Sequence, residues 1–371
     1  MKTVIPKEIA SSGEVRTSHP YFMHEMIHDQ PHALRETRRK FEASAENLRL
    51  PKRLRQTIFT GCGTSFYAAI AAESFERSVS TVDSKALQAF ELSHYNRLLP
   101  DALVIAFSHT GMTKTTRDAL KVSKKRKATT IGISGTADAP IMKESDFGLL
   151  CGDGKDRSRA HTKSYTSAVY ASMLLSLRRI PRAGEIQREV YDAPDKIAAA
   201  LKQEGLVKSL VEKYKHIKRF FFIGAGPSIA TAYEAALKVK ETTYTAAEGM
   251  DLEQFCHGPL MSVGKETMIT LIAPRGKSDE RAIQLMKAIR EISIPVLVVT
   301  EENQTKLTEF ATDVVYLDEI NEWISPLIYI VPLQLFAYYL ALQKGLNPDL
   351  IHYDDPRYWK ARCIIFPPGT H

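Results

Sequence analysis

Two patterns of apolar and polar positions alternate along the chain. Short continuous apolar runs, such as ALVIAF at 102–107 and FFFIG at 220–224, end in loops of small and polar residues. Amphipathic stretches of helical period follow them. In the first half the strands predicted are RQTIFTGCGTS, STVDSKALQ, DALVIAFSHTG, ATTIGISG and DFGLLCG. Helices are predicted at FYAAIAAESFER, TKTTRDALKVSKKRK and KSYTSAVYASMLLSLRR. A partly helical link near 180–205 precedes a second round. RFFFIGAGPS reads as a strand running into a Gly-rich loop, and IATAYEAALKVKETTY as a helix. TMITLIAP, IPVLVVT and ATDVVYL read as strands, with a helix near Ser278–Ile292. EGMDLEQFCHGPL reads as the start of a helix or a loop, and an apolar helix at Trp323–Gln343 closes the half.

Strand–helix alternation with fully apolar strands implies parallel sheets covered by helices on both faces. The expectation is α/β: two tandem doubly wound, flavodoxin-like domains, at 46–195 and 196–345. A helical segment at 1–45 precedes them, with Phe22, Met26 and Ile27 at helix spacing and Pro31 interrupting the run. An extended tail, 346–371, follows.

Length and composition narrow the function. The chain has 371 residues, 44% apolar and 25% charged, which fits globular domains and excludes wholesale disorder, collagen and coiled coil. The net charge of +7 permits anionic partners such as phosphorylated metabolites. No basic zipper, zinc-ligand spacing or single-strand-binding motif argues for nucleic acid. The Lys121–Lys127 cluster reads as a solvated helix end. Cys62, Cys151, Cys256 and Cys363 form no CxxC pair, which suits a reducing cytoplasm. MKTVIPKEIASSGE has no apolar core of a signal peptide. Trp323–Gln343 is uncharged and about as long as a membrane span. Its Pro326, Pro332, Gln334 and Gln343 favour a buried core helix.

Candidate chemistry lies in the loops. Gly61-Cys62-Gly63-Thr64-Ser65, Ser108-His109-Thr110-Gly111-Met112-Thr113 and His161-Thr162-Lys163-Ser164 each offer hydroxyls and backbone N–H groups at a helix start. That suits a phosphate. The same residues also fit ordinary capped helices. The second half carries ionisable groups instead: Lys238, Lys240 and Glu241 on one helix, and His257 in FCHGPL. Lys238 and Glu241, three apart, share a face. A glutamate, a lysine and a histidine can open a sugar ring and move protons between C1 and C2. A surface ion pair with a structural histidine is the plainer alternative.

Taken together, GCGTS, SHTGMT, HTKSYT, EAALKVKE, HGPL and VPLQLFAYYLALQKG resemble, in the same order, the sugar isomerase (SIS) domain family. The likeness is strongest to the isomerase half of glucosamine-6-phosphate synthases, and MHEMIHDQPHAL resembles their opening helix. The resemblance implies phosphosugar binding by Cys62, Gly63, Thr64, Ser65, Ser108, His109, Thr110, Thr113 and His161, with Ser108, Thr110 and Thr113 on the phosphate. It implies Glu241 as the proton carrier, Lys238 as its neighbour and His257 as a ring-opening group reaching into the other subunit of a homodimer. Lys360, after Pro356-Arg357, is the nearest match to a tail Schiff-base lysine, one residue short of the family spacing. His109, Met112 and His161 depart from the residues common in the synthases. Lys2 stands where their glutaminase nucleophile, a cysteine, would be.

These features favour a phosphosugar isomerase/deaminase, with glucosamine 6-phosphate the leading substrate. A fructosamine-6-phosphate deglycase, an ammonia-dependent synthase with a separate glutaminase subunit, and a non-catalytic phosphosugar sensor are the alternatives. No metal or organic cofactor is called for, and no membrane partner.

Overall fold

The computed structural model describes residues 15–44, 48–51, 53–99, 101–180 and 184–367. The leader-peptide reading of 1–14 and the last residues of the tail lie outside these. The apolar runs of the first half form β1 (Gln56–Gly61), β2 (Asp83–Gln88), β3 (Ala102–Phe107), β4 (Thr129–Ser134) and β5 (Phe147–Leu150). The second half forms β6 (Arg219–Gly224), β7 (Ala246–Asp251), β8 (Thr267–Ile272), β9 (Val296–Glu301) and β10 (Asp313–Leu317). The sheets are ordered β2-β1-β3-β4-β5 and β10-β9-β8-β6-β7. Counted from its own first strand, each sheet is 2-1-3-4-5, and every ladder is parallel. Every residue of β1, β3, β8 and β9 is buried, as central parallel strands covered on both faces must be.

β7 is the departure from the sequence reading. EGMDLEQFCHGPL contributes an edge strand and then a short helix, Leu252–Cys256, whose first amides are capped by the Asp251 carboxylate. Only Ala247 of β7 is buried, so no apolar run announces the strand.

Each domain turns from its first strand into its first helix through the same pattern, Gly-x-Gly-x-Ser. A Cβ on Gly61 would lie 2.7 Å from the Ser65 backbone, and one on Gly224 would lie 2.4 Å from that of Ser228. The helices Thr64–Val79 and Ser228–Thr243 therefore start hard against their strands, which only glycine allows.

The two sheets share one core. Phe59 and Phe107 of the first domain and Phe220 and Phe222 of the second belong to a single apolar cluster with Met23, Ile27 and Leu34. The last three come from the helices Phe22–His28 and Gln30–Ser44. The break between those helices falls at Asp29; Pro31 is the second residue of the later helix, where its missing N–H costs nothing. Asp349 accepts hydrogen bonds from the amides of Phe22 (2.7 Å) and Met23 (2.9 Å) across 327 and 326 residues. Gln30 bonds Gln334 at 3.0 Å, 304 residues on. The apolar Ser325–Gln343 segment is 94% buried within the protein over its most apolar window, as a core helix. It is interrupted at Tyr329, between Ser325–Ile328 and Ile330–Gln343.

Candidate active site

A cavity of about 670 Å³ opens at the C-terminal ends of β1, β3 and β4. This is the switch point where the strand order reverses, the usual ligand position in such sheets. Cys62, Gly63, Thr64, Ser65, Ser108, His109, Thr110, Thr113 and His161, expected from the sequence to hold substrate, all line it. Glu241 joins them from the second domain.

The phosphate-type loop is built by a tight turn. Gly111 takes φ +65°, and a Cβ there would sit 2.3 Å from that of Ala139. The turn folds Ser108 back so that its hydroxyl donates to Thr113 Oγ1 at 3.2 Å. Thr113 precedes the 12-residue helix Lys114–Lys125, yet its side chain caps no amide. The same holds at the starts of the helices Thr64–Val79 and Lys163–Arg178. The plain helix-cap reading therefore fails for the first two loops; at the third, Asp156 rather than a loop hydroxyl caps the Ser164 amide. The partly positive helix start at Thr113 and the hydroxyls around it suit an anion.

Opposite this loop stands a charged array on one helix. Lys238 has no solvent exposure and reaches Glu234 at 3.2 Å and Glu241 at 2.8 Å. Its ammonium also donates to Thr64 Oγ1 at 3.0 Å and to the Ala160 carbonyl. Thr64 in turn donates to Glu234 at 3.3 Å, tying the first domain's loop to the second domain's helix. Burial, joined by the charge of Glu241, lifts the Glu234 carboxyl to about 8. Burial opposes the Lys238 charge, and its two carboxylates more than offset this, so its pKa is raised. One lysine thus serves two carboxylates. Glu234 is fully enclosed, and Glu241, 28% exposed, faces the cavity. Lys238 itself does not line the cavity; it positions Glu241.

The loop after β5 is ordered by Asp156. Its carboxylate accepts from the amides of Ser158, Thr162 and Ser164 at 2.8–3.1 Å. The Asp156 amide donates to His109 Nε2 at 3.0 Å, and the His109 ring lies 5.0 Å from that of His161. Burial lowers the His109 pKa, so the ring is neutral with its proton on Nδ1. Cys62 Sγ accepts weakly from Gln88 and Thr116, and burial pushes its thiol up, away from nucleophilic use.

Two expected residues lie elsewhere. His257 is 70% exposed, outside this cavity, and bonds Glu253 at 3.0 Å. Lys360 is exposed on the helix Pro356–Ile365 and does not reach the cavity. Two positions on, at roughly 200° around the helix, Arg362 does, with its Nε donating to Tyr353 at 2.8 Å. Sequence reasoning missed Arg157, Arg159, Tyr353 and Arg362 as lining residues. The RSR run at 157–159 was the one signal for the first two; the tail arginine had none. The tail is held back by stacking of His352 between Tyr244 (3.3 Å between centroids) and Tyr358 (4.2 Å).

Known proteins share this fold. The SIS domain pattern matches residues 53–178 and 213–344, one match per sheet. The glutamine–fructose-6-phosphate aminotransferase (isomerizing) of Methanothermobacter thermautotrophicus is 30% identical over 331 residues, covering 89% of this chain and 56% of that protein. The chain thus spans little more than half the length of such relatives. The C-terminal domain of glucosamine-fructose-6-phosphate aminotransferase from Francisella tularensis superposes with a TM-score of 0.82 at 23% identity, covering 90% of this chain and 99% of that one. Glucosamine-6-phosphate deaminase from Thermotoga maritima gives 0.72 at 25% identity, covering 89% and 97%. With one match over each of its two sheets, the chain belongs to the SIS domain family.

Proposed function

We propose that this protein is a phosphosugar isomerase that converts glucosamine 6-phosphate to fructose 6-phosphate and ammonia. One observation carries the reading. Three acidic side chains line the cavity: Asp156, Glu241 and Asp349. Asp156 is committed to its loop amides and Asp349 to those of Phe22 and Met23. Of these three, only Glu241 keeps an oxygen, Oε1, without a partner among the described residues, while Lys238 fixes its Oε2. A carboxylate held at one oxygen and open at the other suits the transfer of one proton between adjacent carbons.

In this mechanism the phosphate docks on Ser108, Thr110 and Thr113, with Ser65 beside them. His257 of a second copy opens the ring. Glu241 takes the proton from C2 and returns it to C1 of the enolamine, while an amine proton passes to O1. The resulting C2 ketimine adds water and expels ammonia, leaving the ketose. Lys238, bonded to Oε2, holds the Glu241 carboxyl in place through both transfers. The likeness to the Thermotoga maritima deaminase, nearly all of whose chain is matched, supports this direction.

Arg157, Arg159 and Arg362 on the cavity wall favour a second reading, in which the leaving amine belongs to a carboxylate-bearing conjugate such as a fructosyl amino acid 6-phosphate. The test is ammonia release from glucosamine 6-phosphate, coupled to fructose 6-phosphate, by the purified protein without glutamine. Stoichiometric release supports the deaminase. Release of amino acid from the conjugate, with none of ammonia from the amino sugar, supports the second reading. Turnover of neither overturns both.

A further inference from the structure

Away from the cavity, the sequence His24-Glu25-Met26-Ile27-His28 lies on the helix Phe22–His28. Its two histidines, four apart, share a face and meet Glu204, the first residue of the helix Glu204–Tyr214. His24 Nε2 is 2.7 Å from Glu204 Oε1, and His28 Nε2 is 3.0 Å from Oε2. The three ligand atoms lie within 4.8 Å of one another. We propose that His24, His28 and Glu204 form a binding site for a divalent transition-metal ion of the zinc class.

The hydrogen bonds of His28 point to the cation. Its Nδ1 lies 2.9 Å from the His24 carbonyl oxygen, which can only accept. Nδ1 therefore donates to this carbonyl, which leaves Nε2, on the carboxylate side, as the ring nitrogen that can ligate. A metal ion that displaces the Nε2 proton fits between this nitrogen and the carboxylate oxygen 3.0 Å away. The His24 ring lies 4.2 Å from that of His28 and 5.1 Å from that of His19, so the imidazoles are gathered at one place. A metal ion satisfies both lone pairs and the carboxylate at once. Two imidazoles and a carboxylate are a common zinc ligand set. The backbone carbonyl behind Nδ1 is the outer partner that orients metal-bound histidines. Tyr339 supplies the equivalent for Glu204, donating to Oε1 at 2.6 Å.

The HExxH spacing is also that of metallopeptidases, where the glutamate is the general base. Here Glu25 is ion-paired to Arg16 at 2.5 Å and to Arg157. A carboxylate so neutralised is a poor base for water. The site is structural: it staples the N-terminal helix to the helix that leads into β6.

The test uses the full chain, without a histidine tag and freed of metal by chelation. Cobalt(II) titration followed by visible absorption should show one saturable site per chain with nitrogen and oxygen ligands, displaced by zinc(II). His28→Gln and Glu204→Gln should each weaken cobalt binding more than about tenfold. Circular dichroism checks that the variants fold, and zinc-edge X-ray absorption of the unsubstituted protein reads the ligands without any variant. Absence of saturable binding, thiolate bands from the cysteines, or unchanged affinity in both variants would overturn the site.

Discussion

Replacing Lys238 by methionine tests the charged array most directly. The substitution keeps the length of the buried stem and removes an ammonium that has no solvent exposure. Glu241 loses its partner at 2.8 Å and Glu234 its partner at 3.2 Å. Removing one member of a buried ion pair costs about 3–5 kcal/mol, since the other charge stays behind. Part of that cost depends on pH. The fold raises the Glu234 carboxyl from 4.5 to about 8. Its contribution to stability is thus complete below pH 4.5 and lost as pH climbs through 8. Without Lys238, which pulls that carboxyl down, the value rises further. At about pH 6 Glu234 is protonated in both proteins and only the Glu241 partnership is lost; at about pH 9 the variant must also hold a proton that the solvent withdraws. Each further tenfold weakening of the Glu234 acid then costs about 1.4 kcal/mol. Urea unfolding at the two pH values measures the difference. The variant should lose about 3 kcal/mol at the lower pH and at least about 1 kcal/mol more at the higher. Adding Glu234→Gln should remove the pH-dependent part. A loss under about 1 kcal/mol at both values, or a greater loss in acid, would refute the shared-lysine account.

Glu241→Gln should cut turnover by about 10²–10⁴-fold with little change in phosphosugar affinity, measured by steady-state kinetics and calorimetry. Ser108→Ala and Thr113→Ala should each cost about 1.5–3 kcal/mol of phosphosugar binding, raising KM with little change in kcat. Asp349→Ala strands the amides of Phe22 and Met23 and should destabilise the fold by about 1–2 kcal/mol in urea unfolding. Burial raises the Asp349 carboxyl from 3.8 to about 6, so its contribution is complete below pH 3.8 and lost through pH 6. Over that interval the stability of Asp349→Asn should improve relative to the parent protein.

What the sequence disclosed depended on whether the signal was contiguous. ALVIAF announces β3, and Ser108–Thr113 announces its loop, because strand, turn and ligand residues follow one another. β7 stayed hidden because an edge strand needs few apolar residues. Glu234 sits one turn before Lys238, visible as spacing, yet its importance comes from burial, which spacing does not report. Asp349 and Arg362 reach the cavity through the fold of the tail. The same limit applies to His24 and His28. HEMIH is plain in the sequence, while Glu204 stands 176 residues beyond His28 and is brought to it only by the packing of two helices.

The long-range capping of the N-terminal helices has a consequence for synthesis. Gln30 waits for Gln334, and the amides of Phe22 and Met23 wait for Asp349. A ribosome adding about 5–20 residues per second takes about 15–60 s to make the intervening 304 residues. Throughout that interval the stripe of Met23, Ile27 and Leu34 has no second domain to cover it. The nascent chain must carry an adhesive helix while its first sheet already folds, which makes this segment the natural client of a holding chaperone and the place where premature termination would cause aggregation.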